Sequence, residues 1–280
     1  MADLEARVAL DVGARTDVGC VRENNEDSFA LAPELNIFVL SDGMGGQASG
    51  EVASRLVTET IIAHARAGAA NPSLEFSGER IEGVSEISNR LAASVRLANR
   101  AVREAAERSA TRRGMGATVV AVQFAQDRMS LAHVGDSRAY RWRRGEFEQL
   151  THDHSFVAEQ VRQGMMTEEE ANSSKLQNVL LRALGVEPEV KVDVSEELMM
   201  EGDAVLLCSD GLTRELSDAQ IAAILAANHD AQKAAEQLVE MAKKAGGNDN
   251  VTVIVIRRAP KHTSAFERIS NWLWGSWEPS

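Results

Sequence analysis

Apolar positions along the chain follow two rhythms. Continuous or alternating apolar runs occur at 7–14 (RVALDVGA), 36–43 (NIFVLSDG), 117–124 (ATVVAVQF), 129–136 (MSLAHVGD), 203–210 (DAVLLCSD) and 250–257 (NVTVIVIR), and each predicts a strand. The runs at 117–124 and 129–136 are joined by the short polar AQDR, which predicts an antiparallel hairpin rather than a crossover. Two longer segments have helical spacing: Val52, Leu56, Ile61 and Ala65 in the first, Ile87, Leu91, Val95, Ala98 and Val102 in the second. The polar stretch 67–83 between them predicts a surface loop. A later helix pair starts at the N-cap candidates Ser217 and Asp230, and its second member runs into glycines. Strands in clusters and helices in pairs predict an α+β fold with helices packed on antiparallel sheets.

Composition narrows the class. The 280 residues contain few prolines and no Gly/Ser-rich stretch, so one domain is expected over residues 1–260, with a separate tail at 261–280. Acidic residues outnumber basic ones 42 to 30, giving a net charge of −12 that repels a phosphate backbone and argues against nucleic acid as a partner. Cys20 and Cys208 are too few and too far apart for a disulfide framework. The N-terminus has no basic-then-apolar leader, and no 18 apolar residues run together, so a cytoplasmic protein is expected.

The candidate chemistry lies where apolar runs end. Asp42 and Asp210 each follow four apolar residues and a serine, Asp136 follows LAHVG, and Asp249 immediately precedes NVTVIVI. Asp-Gly is a common turn, so each dipeptide has an ordinary explanation. Four carboxylates at strand ends can also converge, and they then need cations; Mg²⁺ or Mn²⁺ suits an all-oxygen set. Glycine after Asp42 and Asp210 lets backbone and water approach such an ion closely. GCVRENNEDSFAL adds Glu26 and Asp27 with Arg22 five positions ahead of the aspartate, a carboxylate pair beside a guanidinium that could grip phosphoryl oxygens.

RENNEDS, SDGMGG followed by GEVAS, GMGAT, VGDSRAY, LTHDHS, RALG, GDAVLLCSDGL and GGNDNVTVIV come in the order seen in the metal-dependent protein phosphatases of type 2C. Over residues 7–257 the chain resembles a compact bacterial member of that family. The resemblance implies a four-layer α-β-β-α sandwich with two Mn²⁺ or Mg²⁺ ions, and in some members a third. It implies that Asp42 bridges the ions and that the Gly43 carbonyl helps hold one. Asp210 and Asp249 would serve the first ion, Asp27 and, through water, Glu26 the second, and Asp136 the third. Arg22 would grip the phosphate. The implied activity is hydrolysis of phosphoserine and phosphothreonine in proteins by a hydroxide bridging the ions, opposing a bacterial Ser/Thr kinase. Met44 stands where many eukaryotic members have a histidine, which leaves the general acid unassigned. Two other functions stay open, a silent phosphoprotein-binding scaffold and a regulatory phosphatase of an anti-sigma-factor antagonist.

Other signals are weaker. His152 and His154 suggest a zinc pair, but no Cys or further His lies nearby in sequence. His64, His133 and His229 have ordinary packing or surface roles. Residues 155–181 correspond to a flap bordering the substrate groove in the family, and here the likeness is loosest. In the tail, Phe266, Ile269, Leu273 and Trp277 would share one helical face, for packing on the domain or docking a partner protein, with membrane attachment disfavoured. A monomer is expected.

Overall fold

Ile37, Phe38, Val39 and Leu40 are all buried, which a strand permits only when both its faces are covered. The layers that cover them define the architecture. In the computed structural model, which describes residues 9–45, 49–71 and 79–258, the first half contains β1 (Leu10–Asp17), β2 (Asp27–Ala32), β3 (Ile37–Met44), α1 (Ser49–Ala70), α2 (Glu86–Glu107), β4 (Gly116–Ala117), β5 (Val119–Ala125) and β6 (Arg128–Val134). There follow β7 (Arg138–Arg143), β8 (Glu146–Gln149), α3 (Phe156–Arg162), α4 (Glu168–Ser173), β9 (Asp193–Leu198), β10 (Ala204–Cys208), α5 (Asp210–Thr213), α6 (Asp218–Ala227), α7 (Ala231–Ala245) and β11 (Val251–Arg258).

One antiparallel sheet has the order β1-β11-β10-β7-β8 and the other β2-β3-β5-β6-β9, with β4 beside β3. Strand alternation sorts the core into layers. Ile37 and Val39 face α1 and α2 together with Val119, Ala121, Val57 and Val95. Phe38 and Leu40 point the other way, to Val205, Leu207, Ile254 and Ile256 of the second sheet. That sheet's outer face, through Leu206, Val253 and Val255, packs on α6 and α7 at Leu225, Leu238 and Val239. The expected four-layer α-β-β-α sandwich is what forms.

The predicted hairpin is β5–β6, turning at Gln126, whose φ of 53° suits a tight reversal. Ser217 and Asp230 cap α6 and α7 as expected. β1 extends beyond the run at 7–14, because pairing with β11 carries it on through Asp17, past Thr16, whose hydroxyl is 2.7 Å from that of Thr252. The loop expected from residue 67 starts later, since α1 continues through Ala67, Gly68, Ala69 and Ala70, three of them alanines, the best helix formers. Strands β7, β8 and β9 have no plain sequence signal. Arginines and glutamates mask their alternation, although Tyr140 in β7 is fully buried and β7 turns into β8 at Arg144–Gly145, both with positive φ. Among the described residues no helix is long and apolar enough to cross a membrane, and Cys20 and Cys208 are free thiols. The tail expectation lies outside the described residues.

Candidate metal centre

Both sheets deliver carboxylates to the same end of the sandwich. The β2–β3 register sets Asp27 opposite Asp42, and Asp42 is locked further by Thr118. The Thr118 N–H donates to Asp42 O at 2.8 Å, and the Asp42 N–H donates to Thr118 Oγ1 at 2.9 Å. From the second sheet, β10 leads through Ser209 to Asp210 at the start of α5, and Asp249 stands just before β11. Asp136 lies in the β6–β7 turn. Asn250 pins the loop that carries Arg22 and Glu26: its Oδ1 accepts the Glu26 N–H at 2.8 Å, and its Nδ2 donates to Val18 O and Asn24 O.

Gly43 is required by close approach. A Cβ there would lie 2.0 Å from Gly50 O, where α1 abuts the end of β3, and a Cβ on Gly50 would meet Glu26 Oε1 at 2.5 Å. These contacts leave a cavity of about 250 Å³ whose wall includes Arg22, Glu26, Asp42, Asp136, Asp210 and Asp249.

Burial raises the pKa of several of these acids. Burial, reinforced by Asp27 and Asp210, raises Asp42 well above the usual carboxylate range. Burial, with Asp210 and Asp153 nearby, pushes Asp136 up to about 8. Asp210 and Glu26 are also raised by burial, Asp210 against the opposing pull of Arg214. Asp27 lies behind the cavity wall, where burial pushes it up to about 7; its Oδ2 accepts from Ser209 Oγ at 2.8 Å and its Oδ1 has no partner.

Two arginines offset part of this charge. Arg22 Nη2 donates to Asp249 Oδ2 at 2.8 Å, and Arg214 pairs with Asp210 while its Nη1 reaches the same Asp249 oxygen at 3.4 Å. Among the described residues no three acidic, His or Cys side chains close on a single point, since Asp210 and Asp249 are turned to these guanidiniums. The residues nonetheless fit hard divalent cations. The donors are all oxygen, the orphaned Asp27 Oδ1 is a buried acceptor left unsatisfied, and the glycine pair keeps the backbone close.

The model for protein phosphatase 2C matches residues 21–251 of this sequence. The chain belongs to the protein phosphatase 2C family. Within that family it is 41% identical over 253 residues to the serine/threonine protein phosphatase PstP of Mycobacterium tuberculosis, covering 89% of this chain and 46% of PstP, so it spans about half the length of that relative. It is 35% identical to the serine/threonine phosphatase stp of Listeria innocua, over 87% of this chain and 94% of stp. The crystal structure of the PstP catalytic domain in complex with two manganese ions superposes with a TM-score of 0.77 at 37% identity, covering 90% of this chain and 99% of that one.

Of the residues singled out in this 2C-family sequence, Arg22, Glu26, Asp42, Gly43, Asp136, Asp210 and Asp249 line the cavity, and Asp27 is set behind it. Met44 also lines it, as do Asn178 and Leu180 from the flap region. His152 and His154 form no zinc pair. His154 Nδ1 accepts the Gly135 N–H at 3.0 Å and its Nε2 lies 3.0 Å from Asp193 Oδ2, whereas His152 is exposed. His133 is buried in β6 against the His154 ring, and His64 joins α1 to Ser94 of α2. Sequence reasoning missed Thr118, Asn250 and Arg214. Thr118 and Asn250 lie inside the GMGAT and GGNDNVTVIV stretches without standing out there, and the one signal for Arg214 is its position four residues after Asp210 at the end of a short helical turn.

Proposed function

We propose that this chain is a metal-dependent protein serine/threonine phosphatase, acting on phosphoserine and phosphothreonine in proteins. One observation carries this: a cavity walled by carboxylates from both sheets also contains Arg22, so cation donors and a phosphate-binding fork face the same space. Asp42, with the Gly43 carbonyl and Glu26 on one side and Asp210 and Asp249 on the other, would hold two Mn²⁺ or Mg²⁺ ions; Asp136 would support a third, and Asp27 would act from behind. The ions, when bound, bring the pKa of a water into the neutral range and offset charge on the phosphoryl group.

The chain's own residues do the rest. Arg22 takes two phosphoryl oxygens in a bidentate fork, which orients phosphorus and stabilises its developing charge. Asn250 fixes the Arg22 loop by its bonds to Val18 and Asn24. Met44 has no exchangeable proton and so cannot protonate the departing serine or threonine oxygen. In the cell the protein would oppose a Ser/Thr kinase in the cytoplasm, as a monomer with its activity in residues 1–260.

The test is phosphate release from a phosphothreonine peptide with Mn²⁺ and then with excess chelator. Release should require the metal, and Asp210→Asn should abolish it while the circular dichroism spectrum stays that of the parent. Metal-independent release, or full activity in Asp210→Asn, would overturn the proposal.

A further inference from the structure

Arg214 is held at the end of α5, its N–H donating to Asp210 O at 2.9 Å, so its side chain projects into the cavity from the wall that carries Asp210. Its guanidinium engages Asp210 and reaches Asp249 Oδ2 at 3.4 Å, the oxygen that Arg22 contacts at 2.8 Å from a different segment. Two planar forks rooted in separate parts of the fold therefore converge on one anionic oxygen inside the cavity. A phosphoryl group, with three non-bridging oxygens, is an anion that can accept from both forks at once, whereas a single carboxylate oxygen leaves most of their donors unused.

We propose that Arg214 is a second phosphate-binding residue, which grips the substrate phosphoryl group opposite Arg22. This rests on the metal-dependent function above, in which Asp210 and Asp249 give their oxygens to cations. Each oxygen so given frees guanidinium donors, and the anion they then meet is the substrate. Arg214 thus has two successive partners, the carboxylates before metal loading and the phosphoryl oxygens after it. Removing its positive charge should weaken phosphate binding and leave cation binding equal or tighter, because a competitor for the carboxylates is gone.

The experiment compares the full chain with Arg214→Gln and Arg214→Lys by three readouts: Mn²⁺ affinity by calorimetry, orthophosphate affinity of the Mn²⁺-loaded proteins, and KM for a phosphothreonine peptide. Arg214→Gln should raise KM and the orthophosphate Kd about tenfold at undiminished Mn²⁺ affinity. Arg214→Lys, which keeps the charge without the fork, should lie between. Unchanged KM and orthophosphate Kd in Arg214→Gln would overturn the proposal, as would a loss of Mn²⁺ affinity parallel to the loss of phosphate, which would make Arg214 a tether for Asp210 and Asp249. A parent that releases no phosphate would sink the phosphatase function alone, since the orthophosphate titrations still decide the role of Arg214.

Discussion

Thr118 does at the residue scale what no acidic residue of the site can do for itself. Its hydroxyl accepts from the Asp42 N–H and lies 2.7 Å from Ser137 Oγ, next to Asp136, so one side chain ties the end of β3 to the β6–β7 turn. Ser41 Oγ donates to Thr118 O at 2.7 Å and completes the lock. Thr118→Val keeps the volume but leaves a buried N–H and a buried hydroxyl short of a partner, a cost of about 1–3 kcal/mol for each group left unpaired. The variant should unfold at lower denaturant and bind Mn²⁺ more weakly, and Thr118→Ser should restore both; a Val variant equal to the parent in both would refute the lock. The acids were legible in the sequence because they stand where apolar runs stop. Thr118 was not, because its importance comes from side chain-to-backbone bonds between residues 76 apart in sequence.

At the scale of elements, legibility followed burial. Runs such as IFVL and VLLC announce themselves because both faces of β3 and β10 are covered. Strand β9 reads as polar because it is a sheet edge, where Glu196 accepts from the Ser88 hydroxyl of α2 and Glu197 from Arg141. The inter-sheet layer holds the two halves of the site at their distance, and Leu207, fully buried there three residues before Asp210, is the point to probe it. Leu207→Ala should destabilise the fold by about 2–5 kcal/mol in equilibrium urea unfolding. A loss below 1 kcal/mol would mean that the layer collapses around the missing side chain.

For the molecule as a whole, the concentration of acid makes stability depend on pH and on cations. In the metal-free protein burial pushes Asp27 up to about 7 and Asp136 up to about 8, against an ordinary value of 3.8. The native state therefore binds protons that the unfolded chain has released, and stability falls as pH rises through these values. Buried His133, pushed down to about 3, works in the opposite direction, but only below its ordinary value of 6.5. The loss from Asp27 and Asp136 therefore runs from 3.8 up to about 7 and about 8, and in the window between pH 6.5 and about 8 His133 no longer offsets it. The metal-free Tm should decline across that window, and Mn²⁺ at one fixed concentration, which adds about 2.7 kcal/mol where it equals 100 times the Kd, should raise Tm more at the alkaline end, where fewer protons compete for the carboxylates. A metal-free Tm that is flat over the window would contradict the proton count.

The guanidiniums of Arg22 and Arg214 on Asp210 and Asp249 carry a consequence for the order of events in the protein's life. A polypeptide with its own counter-ions can complete its tertiary structure before any divalent ion arrives. Under the proposed metal-dependent function, maturation would then have two separable stages, synthesis of a finished but idle scaffold and its later charging from the cell's metal pool. The supply of that pool, rather than the rate of translation, would decide how much working protein is present at a given moment.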